Sequence, residues 1–174
     1  MAYDGVAKTL HWLILALLAV QFTLAWAMPD IENGQMPESL VRLHLSFGLT
    51  ILAIMLVRLG WRATHPAPPP PDDIPRWQQL ASRLVHWALY ALLVATPLAG
   101  WSWASAKGWP IVVFGVVNLP RLVPEGSPLR PVMGTAHMYL SWAILVFAGL
   151  HALAALRHHF LLDDDVVRRM LPRH

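Results

Sequence analysis

Residues 133–156 read MGTAHMYLSWAILVFAGLHALAAL and contain no formally charged side chain. Read as a helix, this stretch is long enough to cross a bilayer. It also contains His137 and His151, whose separation of 14 residues places them on nearly the same helix face, roughly 21 Å apart. Burying a polar side chain in the hydrocarbon core costs free energy, so residues of this kind are usually functional. Imidazole is an axial ligand for haem iron. This single segment therefore offers one histidine towards each leaflet.

The composition of the whole chain is that of a membrane protein. Of its 174 residues, 56% are hydrophobic, 13% are charged and nine are Trp, which is too apolar for an ordinary soluble domain. The absence of cysteine excludes disulfides, thiolate ligation of haem, cysteine-bound iron–sulfur clusters and covalent c-type haem. The net charge of +3 is small and no basic patch marks a soluble module, so nucleic-acid binding is not expected.

Four apolar segments each have the roughly 20 residues that a membrane span needs; they cover about residues 9–28, 40–61, 80–103 and 133–156. Unpaired backbone groups are not tolerated in hydrocarbon, so these spans should be helices. Pro97 should kink the third. The sequence therefore predicts one domain, residues 1–174, with an all-α fold: an integral membrane four-helix bundle with up-down connections.

The first span could instead be a cleaved signal peptide, because Ala25-Trp26-Ala27 resembles a cleavage site. The apolar run is longer than a usual signal core, however, and Lys8 is its only basic leader residue. We therefore expect this span to be retained.

The connections between the spans differ in character. Residues 29–39 form a short polar turn, and residues 62–79 are rich in proline, which predicts a stiff, extended linker. Residues 104–132 form the longest loop, which includes the apolar stretch WPIVVFG at residues 109–115. We expect this loop to lie along the membrane surface as a cap.

The basic residues predict the orientation of the bundle. With four spans, both termini and the proline-rich linker share one side of the membrane. That side carries nine Lys and Arg residues and the other side carries four: Arg42, Lys107, Arg121 and Arg130. Because cytoplasmic loops are enriched in these residues, both termini should be cytoplasmic.

This topology sorts the intramembrane histidines by depth. His44 and His137 lie near the outer leaflet, whereas His11, His86 and His151 lie near the inner leaflet. A lone histidine on a helix is more often a packed residue than a ligand, but five at matched depths would be expensive to bury without a polar partner. Two bis-histidine haems would account for four of the five. Depth alone does not decide whether His11 or His86 is the partner of His151.

A distinctive set of short motifs runs along the chain. It comprises Leu10-His11-Trp12, Arg42-Leu43-His44 with Gly48, His86 with Tyr90, Gly108-Trp109-Pro110 leading to Phe114-Gly115, His137, His151, His158-His159-Phe160 and Arg169-Met170-Leu171-Pro172. In these motifs, and over nearly its whole length, the chain resembles the bacterial cytochrome b561 family, which consists of small four-helix, di-haem b proteins of the cytoplasmic membrane. The resemblance implies two b haems, with His11 and His151 as axial ligands of the inner one and His44 and His137 as axial ligands of the outer one.

The same resemblance implies oxidation of superoxide coupled to reduction of ubiquinone by an oxidoreductase of the bacterial inner membrane. Cationic side chains on the outer side could attract the anionic donor; the candidates are Arg42, Lys107, Arg121 and Arg130. The candidate quinone site on the inner side comprises His86, His158, Arg76 and Arg83.

Two alternatives remain open from the sequence. The chain could be the membrane cytochrome subunit of a larger dehydrogenase or hydrogenase, docking a soluble redox partner. It could also be a haem-free, histidine-rich transporter of metal ions or protons, which would lack a visible haem spectrum.

Overall fold

The computed structural model describes residues 3–29, 35–69 and 74–171. These residues form helices α1 (Gly5–Ala27), α2 (Ser39–Thr64), α3 (Arg76–Ala106) and α4 (Arg130–Phe160), with strands β1 (Val112–Val113) and β2 (Val117–Asn118) between α3 and α4. All four helices are long and apolar enough to cross a membrane. The predicted all-α, four-helix membrane fold is thereby confirmed.

Each helix begins before the apolar segment that predicted it, and all except α1 also end after it. The third begins at Arg76, directly after Pro75, and the fourth begins at Arg130 with Pro131 in its first turn, where the missing N–H of proline costs no helical hydrogen bond. The apolar run marks only the part of a helix in the hydrocarbon core, whereas the helix can continue into the polar interface. A helix that is longer than its apolar segment is therefore compatible with the predicted span.

The helices pack in a chain of neighbours: α1 lies against α2, α2 against α3, and α3 against α4. Among the described residues, no Cα atom of α4 lies within 8 Å of a Cα atom in α1 or α2. The backbone of α4 is therefore separated from the backbones of α1 and α2. Contacts between α4 and these two helices have to be made by side chains.

Buried side chains form two clusters along the bundle. One lies towards the end that carries the β-hairpin and comprises Val41, Leu49, Leu52, Ala104, Trp109 and Ile111. The other comprises Ile14, Ile51, Met55, Leu93 and Ile144. We call the hairpin end the outer end, and the end with the start of α1 and the end of α4 the inner end. Many large apolar side chains of α1 and α4 remain exposed, as expected of helices that face lipid.

The β-hairpin was not predicted from the sequence. Val112 pairs with Asn118 and Val113 with Val117. The tight turn between them has positive φ at Phe114 (49°) and Gly115 (75°), the backbone conformation of a type I′ turn. Each strand has only two residues. That is too short for an alternation of apolar and polar residues to be recognised in the sequence.

Two buried hydroxyl groups fasten this segment to the helices. The Phe114 N–H donates to Ser46 Oγ (2.9 Å) on α2, and the Leu122 N–H donates to Ser105 Oγ (3.2 Å) on α3. The loop after α3 therefore covers the outer end of the bundle, in keeping with the cap that its apolar residues predict.

Candidate functional site

The first pair of histidines brings α2 and α4 together near the outer end. The ring centroids of His44 and His137 lie 6.1 Å apart. With a metal–nitrogen distance of about 2.0 Å and about 1.1 Å from nitrogen to ring centre, two imidazoles on opposite sides of one metal ion have centroids about 6.2 Å apart. The spacing therefore fits an iron atom held between the two rings.

The orientation of His137 is fixed by α3. His137 Nδ1 donates to the Thr96 carbonyl oxygen at 2.9 Å, and because a carbonyl only accepts, the ring proton resides on Nδ1. This leaves the Nε2 lone pair for a ligand, the arrangement in which a hydrogen bond to one ring nitrogen orients the other towards a metal. A Cβ atom on Gly100 would lie 2.8 Å from the His137 ring. Glycine at this position is thus what lets the ring approach α3.

His44 is oriented by α1 instead. Its Nε2 lies 3.1 Å from the side-chain nitrogen of Gln21, and a Cβ atom on Gly48 would lie 3.1 Å from the same amide. His44 Nδ1 and Gln21 Oε1 are buried and have no hydrogen-bond partner within the described residues. The amide nitrogen can only donate, so Nε2 accepts and Nδ1 carries the ring proton. Nε2 would bind an iron in place of its hydrogen bond with Gln21.

A cavity of about 670 Å³ surrounds this outer pair. Its lining includes His44 and His137, together with glycines 48, 100 and 134 and several indole and aliphatic side chains. The size lies within the range of cofactor pockets, which are mostly apolar with a few polar groups. The outer pair, the room left by the glycines and the apolar lining together fit a flat macrocycle such as haem.

The second group of histidines lies near the inner end. The ring centroids of His11 on α1 and His151 on α4 are 6.1 Å apart, the same spacing as in the outer pair. His86 on α3 lies closer to His151, with centroids 4.9 Å apart. That distance leaves roughly 2.7 Å between facing nitrogens, which is too short for two metal–nitrogen bonds of about 2.0 Å each. The geometry therefore favours His11 as the partner of His151.

His86 is the third histidine of this group and is held by its own helix. Its Nδ1 lies 2.6 Å from the Ser82 carbonyl oxygen one turn earlier in α3, so it donates to that oxygen. This hydrogen bond directs the rest of the ring towards His151. The structure thus places His86 beside the inner pair, as a packing neighbour of His151.

The four outer cations are in different environments. Lys107 follows the end of α3 and lines the cavity, with its Nζ 4.3 Å from the ring centroids of both Trp103 and Trp109. Partial burial, and secondarily the nearby Arg130 cation, lower the pKa of Lys107. Arg121 is paired with Glu125 at 3.1 Å. Arg42 is exposed on the first turn of α2, and Arg130 begins α4.

The inner end holds the remaining candidate, His158. Spacings of seven residues bring His151 and His158 to nearly the same face of α4, about 10 Å apart. His158 Nδ1 is hydrogen-bonded to Asp164 Oδ2, and both side chains are largely buried. In the described part of the chain, Arg76 and Arg83 are exposed and form no hydrogen bond or ion pair with His158.

Several residues of the site escaped the sequence analysis. Gln21 and Thr96 contact the outer pair, and Asp164 contacts His158. The position of Gln21 as one of few polar residues in an apolar span was a usable signal. The role of Thr96 rests on its backbone carbonyl, and Asp164 is one of three consecutive aspartates at residues 163–165, so neither gave a distinguishing signal.

Comparisons with known proteins agree with this geometry. A family model described as prokaryotic cytochrome b561 matches residues 2–173. The chain is 31% identical over 170 residues to cytochrome b561 homolog 2 of Escherichia coli (strain K12), covering 97% of this chain and 90% of that protein. It is 31% identical over 176 residues to "Probable superoxide oxidase CybB" of Yersinia pestis, covering 98% and 96%. Cytochrome b562 of Cereibacter sphaeroides is 26% identical over 178 residues, covering 97% and 94%.

Proposed function

The chain belongs to the prokaryotic cytochrome b561 family, and on that premise we propose that it oxidises superoxide at its outer end and reduces ubiquinone at its inner end. The family implies b-type haem and electron transfer through the membrane. Four membrane helices and bacterial relatives identify a multi-pass protein of the bacterial inner membrane. Membership of a cytochrome family argues against the haem-free transporter.

The observation that carries this proposal is the equal spacing of two histidine pairs at the two ends of the bundle. We infer two b haems per chain, the outer one held by His44 and His137 and the inner one by His11 and His151. Each pair has ring centroids 6.1 Å apart. When bound, haem supplies one-electron chemistry at its iron.

The protein residues determine how substrates can react. The two imidazoles of each pair would hold a haem iron between them and would leave neither superoxide nor ubiquinone a place on that iron. The chain must then bring each substrate to the correct end of the bundle, where haem would supply one-electron chemistry. The balanced reaction converts two superoxide anions, one ubiquinone and two protons into two molecules of oxygen and one ubiquinol.

The outer end suits an anionic donor. Lys107 is the candidate cation that lines the cavity around His44 and His137, and cation–π contacts with Trp103 and Trp109 hold its ammonium there. A fixed positive charge at a cavity mouth raises the arrival rate of a small anion. The Yersinia pestis relative is named as a probable superoxide oxidase, which supports superoxide as the donor of this chain as well.

The inner end suits a proton-consuming acceptor. Reduction of ubiquinone to ubiquinol takes up two protons, and His158 is a titratable side chain on the α4 face that carries His151. The excess of basic residues on the side of both termini, nine against four, supports a cytoplasmic location of this end. His86 lies beside the inner pair, and Arg76 and Arg83 lie on the same helix nearer its start.

Replacing His158 with alanine tests this division of roles. We expect the variant to retain both haems and their reduction by superoxide, because His158 lies outside both pairs. We expect electron delivery to ubiquinone to slow about a hundredfold, which is the lower end of the range for loss of a general acid. The measurements are stopped-flow haem reduction by superoxide and a steady-state ubiquinone assay on the same purified protein.

Two results would count against the proposal. Unchanged ubiquinone reduction in the His158→Ala protein would remove this residue from the acceptor site. Wild-type haem that superoxide does not reduce would remove superoxide as the donor, whatever the variant does.

A further inference from the structure

The chain after α4 folds back across the inner end of the bundle. Lys8 Nζ donates to the Leu171 carbonyl oxygen (2.8 Å), and Trp12 Nε1 donates to the Met170 carbonyl oxygen (2.9 Å). Arg169 reaches the Pro69 carbonyl oxygen in the proline-rich linker (2.9 Å). We call residues 161–171 the tail. Because Trp12 follows His11 directly, these bonds place the tail against the turn of α1 that carries the inner histidine.

Within the tail, Asp164 makes two directed hydrogen bonds. Its Oδ1 accepts from the Val166 N–H at 3.0 Å, and its Oδ2 accepts from His158 Nδ1. The Asp164 N–H also donates to the His158 carbonyl oxygen at 3.3 Å. The carboxylate is therefore held in one position by the backbone of the tail, and the imidazole of His158 is held by the carboxylate.

These contacts stabilise the ionised, negatively charged form of the Asp164 carboxyl. Burial opposes its ionisation, but the hydrogen bonds from His158 and from the Val166 N–H outweigh that effect and keep the pKa of the Asp164 carboxyl below its ordinary value. Because His158 Nδ1–H is committed to Asp164, Nε2 is the ring nitrogen left to exchange a proton with a substrate.

We propose that Asp164 is a positioning residue that makes His158 the proton donor of the inner end, and this rests on the proposed reduction of ubiquinone there. The N–H bond at Nε2 breaks as an O–H bond forms at a ubiquinone carbonyl oxygen, and the ring then regains a proton from water. Two such cycles provide the two protons of ubiquinol, and the two electrons come from two superoxide anions.

The most direct test is the Asp164→Asn protein with Asp165→Asn as its matched control. Asparagine keeps an oxygen that can accept from the Val166 N–H, so the tail can keep its local fold, but its neutral amide replaces the carboxylate that holds the His158 Nδ1–H. Asp165 is the next residue, is 69% exposed and pairs only with Arg168 in the described residues. The control therefore removes one tail carboxylate without touching His158.

The assay isolates the acceptor step from the donor. Full-length protein is reduced anaerobically with limiting dithionite and mixed with a water-soluble ubiquinone in a stopped-flow instrument, and reoxidation is followed by absorbance. Asp164→Asn should keep the wild-type haem content and spectrum but be reoxidised at least about tenfold more slowly. Its solvent deuterium isotope effect should exceed that of wild type, because proton transfer limits the rate. Asp165→Asn should match wild type in both.

A double mutant separates this role from a purely structural one. If Asp164 acts through His158, then Asp164→Asn combined with His158→Ala should be no slower than His158→Ala alone, because the two changes remove one function. Additive losses would overturn the proposal, and so would an Asp164→Asn protein that is reoxidised at the wild-type rate. Wild-type protein that ubiquinone does not reoxidise would overturn the acceptor proposal and the role of Asp164 together.

Discussion

His137→Ala should lose one of the two proposed haems, and His44→Ala should lose the same one. Each substitution removes one axial ligand of a single iron, and the centroid spacing of 6.1 Å leaves room for an iron between the two rings. The cavity of about 670 Å³ around the pair would remain, but without one of its two strong bonds to the cofactor. Haem content should therefore fall by about half in both proteins, as measured by the pyridine haemochrome method, and a redox titration identifies the haem that remains.

The matched control for this experiment is His65→Ala. His65 stacks on Trp61 with ring centroids 3.8 Å apart and belongs to neither pair, so the control protein should keep its full haem content. If His44→Ala and His137→Ala retain haems with different midpoint potentials, the two residues do not share an iron and the outer pairing is wrong.

His11→Ala should lose the other haem, while His86→Ala should keep both. This expectation follows from the two distances at His151: 6.1 Å to the His11 ring centroid and 4.9 Å to that of His86. Only the longer one leaves space for an iron atom between facing nitrogens. Haem quantitation and a redox titration on both variants measure the outcome.

His151→Ala provides the reference for this comparison, because it removes the ligand common to both candidate pairs. His11→Ala should reproduce its spectrum and haem content. Loss of the inner haem in His86→Ala together with its retention in His11→Ala would reverse the assignment and make α3 the helix that contributes the ligand.

The sequence was sufficient for the membrane fold and for grouping the histidines that lie towards the same end of the bundle. Runs of apolar residues define the spans, and the periodicity of α4 places His137 and His151 on one face, because both depend on positions within a single helix. The sequence was not sufficient to choose between His11 and His86. That choice depends on how α1 and α3 are placed around α4, and the distances in the folded bundle now favour His11.

Two contacts of the histidines were also beyond prediction, because they depend on the course of the folded backbone. His137 is oriented by the Thr96 carbonyl on another helix, and a backbone carbonyl has no residue type to identify it. Asp164 meets His158 only because the tail turns back after α4. The first partner is selected by the packing of two helices and the second by the turn that follows α4, and no residue pattern marks either one.

The haem content of the purified wild-type protein tests the central claim most directly. Pyridine haemochrome analysis, with protein quantified by amino-acid analysis, should give two b haems per chain, because two histidine pairs with the spacing of axial ligands lie at opposite ends of the bundle. A value of one haem per chain, or none, would contradict the account.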